Sequence, residues 1–67
     1  MKIQFFNAAG TLVGEVDRSN CKRFSMQAAS DHKKMDAFKA AHPEVVSAEL
    51  PQFSFRFDAN GQSQVVD

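Results

Sequence analysis

Cys21 is the chain's one thiol, and two histidines, His32 and His42, follow it. A cysteine beside a histidine is a route to a nucleophile. The thiolate forms readily only where an imidazole, a helix end or nearby cations lower the thiol pKa. Lys22 and Arg23 adjoin Cys21 and would supply such cations. The chain offers no third group to orient a base and no nest of backbone amides for an oxyanion, so a small thiol enzyme is the weakest reading here. A small, partly buried thiol is expected instead. Asp31, His32, Asp36 and His42 are the one grouping with metal-ligating chemistry. His32 and Asp36 stand four apart and share a helix face. Two ligands do not close a structural site, and a single cysteine removes the usual zinc patterns. A local His32–Asp36 hydrogen bond or charge pair is expected, with no metal and no cofactor. Gly10, Gly14 and Gly61 fit no phosphate-binding pattern. Glu15, Glu44 and Glu49 show no paired role. The residues read as those of a non-enzyme.

A second chemistry is phosphate contact. Lys22, Arg23, Lys33, Lys34 and Lys39 form a basic cluster, and such groups position a nucleic acid without reading its bases. The formal net charge is zero, whereas dedicated nucleic-acid binders carry an excess of basic groups. The charge is unevenly spread: residues 1–42 hold seven Lys/Arg against four Asp/Glu, and residues 43–67 hold Arg56 against Glu44, Glu49, Asp58 and Asp67. Asp31 and Asp36 interleave with the helical lysines, as on a solvated helix. A nucleic-acid-associated protein is therefore the alternative reading.

These residues need a scaffold, and the clearest signals for one are two turns. Phe6-Asn7-Ala8-Ala9-Gly10-Thr11 and Phe57-Asp58-Ala59-Asn60-Gly61-Gln62 share an Asn or Asp three residues before a Gly. The first side chain accepts bonds from amides further on, and the Gly takes the left-handed conformation that closes a bulged hairpin loop. Turn chemistry alone accounts for the recurrence. The second loop sets Phe57 opposite Ser63 and Phe55 opposite Val65. Alternation then places Phe53, Phe55, Phe57 and Val65 on one face and Ser54 and Arg56 on the other. The first loop sets Phe6 opposite Leu12 and Phe5 opposite Val13. Ile3, Phe5 and Val13 make one apolar face; Phe6, Leu12 and Val16 make another. Gly14 marks a bulge or a close backbone approach.

Between the hairpins, Ser30 reads as an N-cap, with Asp31 in the first turn of a helix over residues 31–42 and a short turn over 25–29. An earlier start near Ser25 would leave Ser30 mid-helix. Met35 and Phe38 follow at helical spacing, and Pro43 ends the helix. Val45 to Leu50 read as a strand that Pro51 interrupts, hence an edge strand or a bent lead-in.

The expected fold is α+β: a single two-layer domain over residues 1–67, with an antiparallel sheet of two hairpins plus a short strand, covered by one helix in the order β-β-α-β-β-β. Phe53, Phe55 and Phe57 are expected to pack against Met35 and Phe38. A chain of 67 residues buries only about 60% of its unfolded surface, which leaves little room for a substrate cleft. All seven aromatic residues are Phe, which suits cores and dry contacts. A sheet apolar on both faces needs two covers, and one helix supplies one. Phe6, Leu12 and Val16 are thus the expected protein-binding residues of a small regulator or inhibitor. Face packing, or pairing of an exposed 45–50 edge, would equally serve a homodimer. No apolar run approaches the roughly 20 residues of a membrane span. The residues behind Lys2 do not read as a secretory signal, and a lone cysteine fits a reducing compartment. A cytoplasmic protein is expected.

Overall fold

Both loops close by the same five-residue chemistry in the computed structural model, which describes residues 1–66; Asp67, counted among the acids above, lies outside the described residues. In the first, Gly10 N–H donates to the Asn7 carbonyl at 2.9 Å, and Asn7 N–H donates to the Thr11 carbonyl at 3.1 Å. The Asn7 side chain accepts from Ala9 and Thr11 N–H, each at 3.0 Å. In the second, Gly61 and Asp58 repeat the two backbone bonds at 2.9 Å. The Asp58 carboxylate accepts from Asn60 and Gln62 N–H, both at 2.9 Å. Gly10 and Gly61 sit at φ +80° and +79°, the left-handed region that glycine enters without a Cβ penalty.

The two loops differ in one respect that pH exposes. The Gln62 N–H foremost, with Asn60, Gln64 and Gly61, holds the Asp58 carboxyl below its ordinary 3.8. A folded value below the unfolded one means that the carboxylate stabilises the loop at pH above the unfolded value. That contribution disappears as pH falls through the folded value. Acid titration followed by NMR should move the Asn60 and Gln62 amides while Ala9 and Thr11, held by an amide that does not titrate, stay in place. Asp58→Asn should abolish the difference. Equal movement of both loops would count against this account.

The elements are β1 (Lys2–Asn7), β2 (Leu12–Asp17), α1 (Phe24–Ala41), β3 (Val45–Leu50), β4 (Phe53–Phe57) and β5 (Ser63–Val66). They form an α+β domain in which one helix covers a five-stranded antiparallel sheet of order β2-β1-β3-β4-β5. β2, α1 and β3 make a crossover with β1 between its two strands. The segment 45–50 is therefore a central strand and not an edge. Pro51 does not interrupt it; Pro51 and Gln52 are the turn that joins Leu50 to Phe53. An irregularity at Val46, where Phe6 faces Ser47 but Asn7 faces Val45, puts Val45, Ala48 and Leu50 all inside.

The second hairpin has the expected register, with Phe57 opposite Ser63 and Phe55 opposite Val65. The first does not. Phe6 faces Leu12, but Phe5 faces Gly14, and Val13 is the extra residue of a bulge. One inserted residue inverts the facing of every position beyond it. Val16 consequently lies opposite Ile3 and packs, with Val13, against the core. The far face is largely polar: Lys2 pairs with Asp17, Gln4 with Glu15, and Ser54 with Glu49. Among the described residues, Phe6, Leu12, Val66 and the bulge residue Val46 interrupt it.

The helix begins at Phe24, seven residues before the expected start, and Ser30 lies inside it. Arg23 precedes it without a capping side-chain bond, and its first turn holds no acid. Its length comes from tertiary contact rather than capping. Phe24, Ala28, Asp31, Met35 and Phe38 recur at helical spacing along the sheet-facing side. His42 is the C-cap, ahead of Pro43. Ile3, Phe5, Met35, Val45, Ala48, Leu50 and Phe55 form the core, with Val13, Val16, Phe38 and Phe57 packed around it. Phe38 is sandwiched between Phe5 at 3.9 Å and His42 at 4.2 Å. A Cβ on Gly14 would stand 2.9 Å from the Phe38 ring, which explains the glycine as a close approach as well as a bulge neighbour. Of the Phe53/Phe55/Phe57 row, Phe55 is buried, Phe57 is half-buried, and Phe53 keeps 43% of its surface exposed.

The sheet edges are β2 and β5, and the helix reaches both. Lys34 Nζ donates to the Asp17 carbonyl on β2 at 2.7 Å. Ser63 N–H on β5 donates to Asp36 Oδ1 at 2.9 Å.

Candidate docking site

Phe24 lies on the sheet-facing side, seven residues before Asp31 and eleven before Met35, yet it is 82% exposed. Beneath it opens a cavity of about 90 Å³ between the first turns of α1 and the ends of β3, β4 and β5. Ala28, Leu50 and Phe55 line its floor, and Phe24, Phe53 and Val65 form its apolar rim. Small-molecule pockets run to roughly 300–1,000 Å³, so this one is sized for a side chain.

Most of its polar lining is already paired. Asp31 is buried and accepts from Arg18 Nε at 3.0 and 3.1 Å and from Arg18 Nη2 at 2.8 Å. Gln27 Nε2 donates to Asp31 Oδ1 at 2.9 Å, and Gln27 Oε1 accepts from the Cys21 N–H at 2.9 Å. This chain of bonds fixes the loop before the helix against the helix's second turn. The Asp31 carboxylate raises the proton affinity of the Arg18 guanidinium, chiefly through that hydrogen bond. His32 Nδ1 meets Ser63 Oγ at 2.6 Å, with its ring edge-on to Phe55.

The chain matches no family model, no curated protein and no solved structure. The site must be judged on its own geometry.

The residues singled out in the sequence fall in different places. Phe6 is half-buried and Leu12 is 47% exposed on the far face, but Val16 faces the helix side, so the three do not form one patch. The bulge at Val13 is the reason. Among the basic residues, Lys34 Nζ is bonded to the Asp17 carbonyl and Lys39 Nζ to the carbonyls of Pro43 and Val45. Lys22, Arg23 and Lys33 are exposed. Cys21 is a half-buried free thiol. His32 bonds to Ser63, and His42 Nδ1 lies 3.3 Å from the Phe38 carbonyl. His32 and Asp36 both converge on Ser63, in place of the expected bond to each other. Among the described residues, no three His, Cys, Asp or Glu come together as metal ligands, and no helix is long and apolar enough to cross a membrane.

Phe24 and Val65 escaped the sequence reading of the site. The signal for Phe24 is its spacing to Asp31, Met35 and Phe38. The charge at position 31 conceals that stripe.

Proposed function

We propose that this chain is a non-catalytic protein-binding module that docks its partner in the groove under the first turns of α1. The observation that carries this reading is Phe24: a large aromatic on the sheet-facing side of the helix, left in water beside an apolar slot. Phe53 and Val65, 43% and 54% exposed, extend the same surface. Clustered aromatic and aliphatic groups around a small pocket are the usual anchors of an interface. The far face, where Phe6, Leu12, Val46 and Val66 stand scattered among polar groups, supports docking less well. The basic cluster supports nucleic-acid contact less well too, since two of its five cations are held by backbone carbonyls.

Phe24→Asp tests the reading. Phe24 contributes little to the core, so the variant should melt within a few degrees of the wild type. It should lose the proteins that the tagged wild type retains from a lysate of its source. Leu12→Asp should retain them. An unchanged set with Phe24→Asp, or its loss with Leu12→Asp alone, contradicts the assignment.

A further inference from the structure

The second hairpin loop carries a reactive pair that its bonding leaves idle. Asn60 is the one asparagine of three that precedes a glycine. The loop uses its backbone N–H, which donates to Asp58 Oδ1 at 2.9 Å. Its side-chain amide takes no part in the loop's bonds, and the residue is exposed. Asparagine is chemically labile, because the backbone nitrogen of the next residue can attack its side-chain carbonyl carbon. A side chain on that next residue hinders the approach, and Gly61 has none. The other two asparagines are placed differently. Asn7 precedes Ala8, and its Oδ1 accepts from the Ala9 and Thr11 amides at 3.0 Å. Asn20 precedes Cys21, whose N–H is held by Gln27 Oε1 at 2.9 Å.

The attacking atom is engaged while the loop is closed. Gly61 N–H donates to the Asp58 carbonyl at 2.9 Å, and that proton must leave before the nitrogen is a nucleophile. Asp58 thus holds both reacting residues, Gly61 through its carbonyl and Asn60 through its carboxylate. Chemistry that needs an open segment runs in proportion to the open population when opening and closing are fast. We propose that Asn60 is a site of spontaneous modification, in which Gly61 N bonds to Asn60 Cγ to form a succinimide, and that closure of the loop by Asp58 sets its rate. The Gly61 amide proton passes to solvent. The Asn60 Cγ–Nδ2 bond breaks, and the nitrogen leaves as ammonia with a proton from water. A second water opens the ring at either carbonyl. One product is an aspartate at position 60. The other is an isoaspartate, whose main chain runs through the β-carbon and so lengthens the loop by one atom. That atom falls between Asp58 and Gln62, whose backbone bond closes the loop, so the hairpin loosens from its tip.

The test is incubation of the folded full chain at mildly alkaline pH, well below its melting temperature. Proteolytic mapping by mass spectrometry then separates asparagine, aspartate and isoaspartate at each position. Both products should accumulate at position 60 while Asn7 and Asn20 stay intact, and Asn60 should react severalfold faster in denaturant. Asp58→Ala removes the carboxylate that holds the Asn60 and Gln62 amides, and should raise the rate severalfold under the native conditions. Asp58→Asn keeps an acceptor oxygen there and should stay near the wild type. Circular dichroism checks that both variants fold. Should Asp58→Ala fail to fold, the wild type reads the same gate: its denatured-to-native rate ratio should match the hydrogen-exchange protection of the Gly61 amide. An Asn60 that stays intact in the native chain, or reaction at Asn7 or Asn20 at the same pace, overturns the site. A native rate equal to the denatured one, a folded Asp58→Ala that reacts like the wild type, or a ratio that departs from the protection of Gly61, overturns the gate.

Discussion

An Arg18→Ala variant is expected to lose about 3–5 kcal/mol of stability, the usual consequence of removing one partner from a buried ion pair. The Asp31 side chain keeps 5% of its surface exposed and that of Arg18 20%, so the carboxylate cannot simply turn to water. It sits on the sheet-facing stripe of the helix, seven residues after Phe24 and four before Met35. Gln27 gives it one further bond, which does not replace a guanidinium. Denaturant unfolding at neutral pH reads the loss directly. The paired replacement Arg18→Met/Asp31→Leu should recover most of it, because an apolar pair of similar volume carries no desolvation penalty. A loss below about 1 kcal/mol in Arg18→Ala would mean that Asp31 rehydrates. The consequence reaches the groove: Arg18, Asp31 and Gln27 all line it, so the single variant should also weaken docking at Phe24.

Phe5→Ala is expected to be comparably severe, at about 3–5 kcal/mol. Phe5 is fully buried and stacks on Phe38 at 3.9 Å, nearly parallel at 10°. Loss of the ring opens a cavity at the centre of the sheet and frees one side of the Phe38 sandwich. Domains have roughly 0.05–0.15 kcal/mol of stability per residue, so a chain of 67 residues has little in reserve, and the variant should be largely unfolded near room temperature. Far-ultraviolet circular dichroism and hydrogen exchange measure this. A folded variant within about 1 kcal/mol of wild type would show that the core does not centre on β1. Phe53→Ala, on the same sheet face but 43% exposed, is the comparison: it should cost far less.

What could be read in advance follows from how local each signal is. The two hairpin loops were legible because an Asn or Asp side chain and a glycine settle them within five residues. The shared facing of Phe53, Phe55 and Phe57 was legible because β4 is unbroken and alternation holds along it, but Phe53, 43% exposed, does not pack against Met35 and Phe38 as expected. The first sheet face was misread from Val13 onward. Gly14 marked a bulge or a close approach but not which residue was inserted, and the insertion of Val13 carried Val16 from the expected outer patch into the core. β3 was obscured for the same reason: the irregularity at Val46 spaces Val45 and Ala48 three apart on one face and erases the alternation. The helix start was hidden by Asp31, an acid that reads as a first-turn residue until its partner Arg18, thirteen positions away, is brought alongside. With the helix start went the candidate site. Phe24 stands out only once the helix is known to begin there, and the distance between two elements is not written in either of them.

The contacts of Lys34 with the Asp17 carbonyl and of Asp36 with the Ser63 amide have a consequence for how the chain behaves in a crowd. They occupy backbone groups on both flanks of the sheet, where another molecule would otherwise add strand to strand and start a fibril. Pairing at those two positions must first displace a charged side chain of the same helix. Both contacts come from one helix, so conditions that loosen it free the two edge positions together.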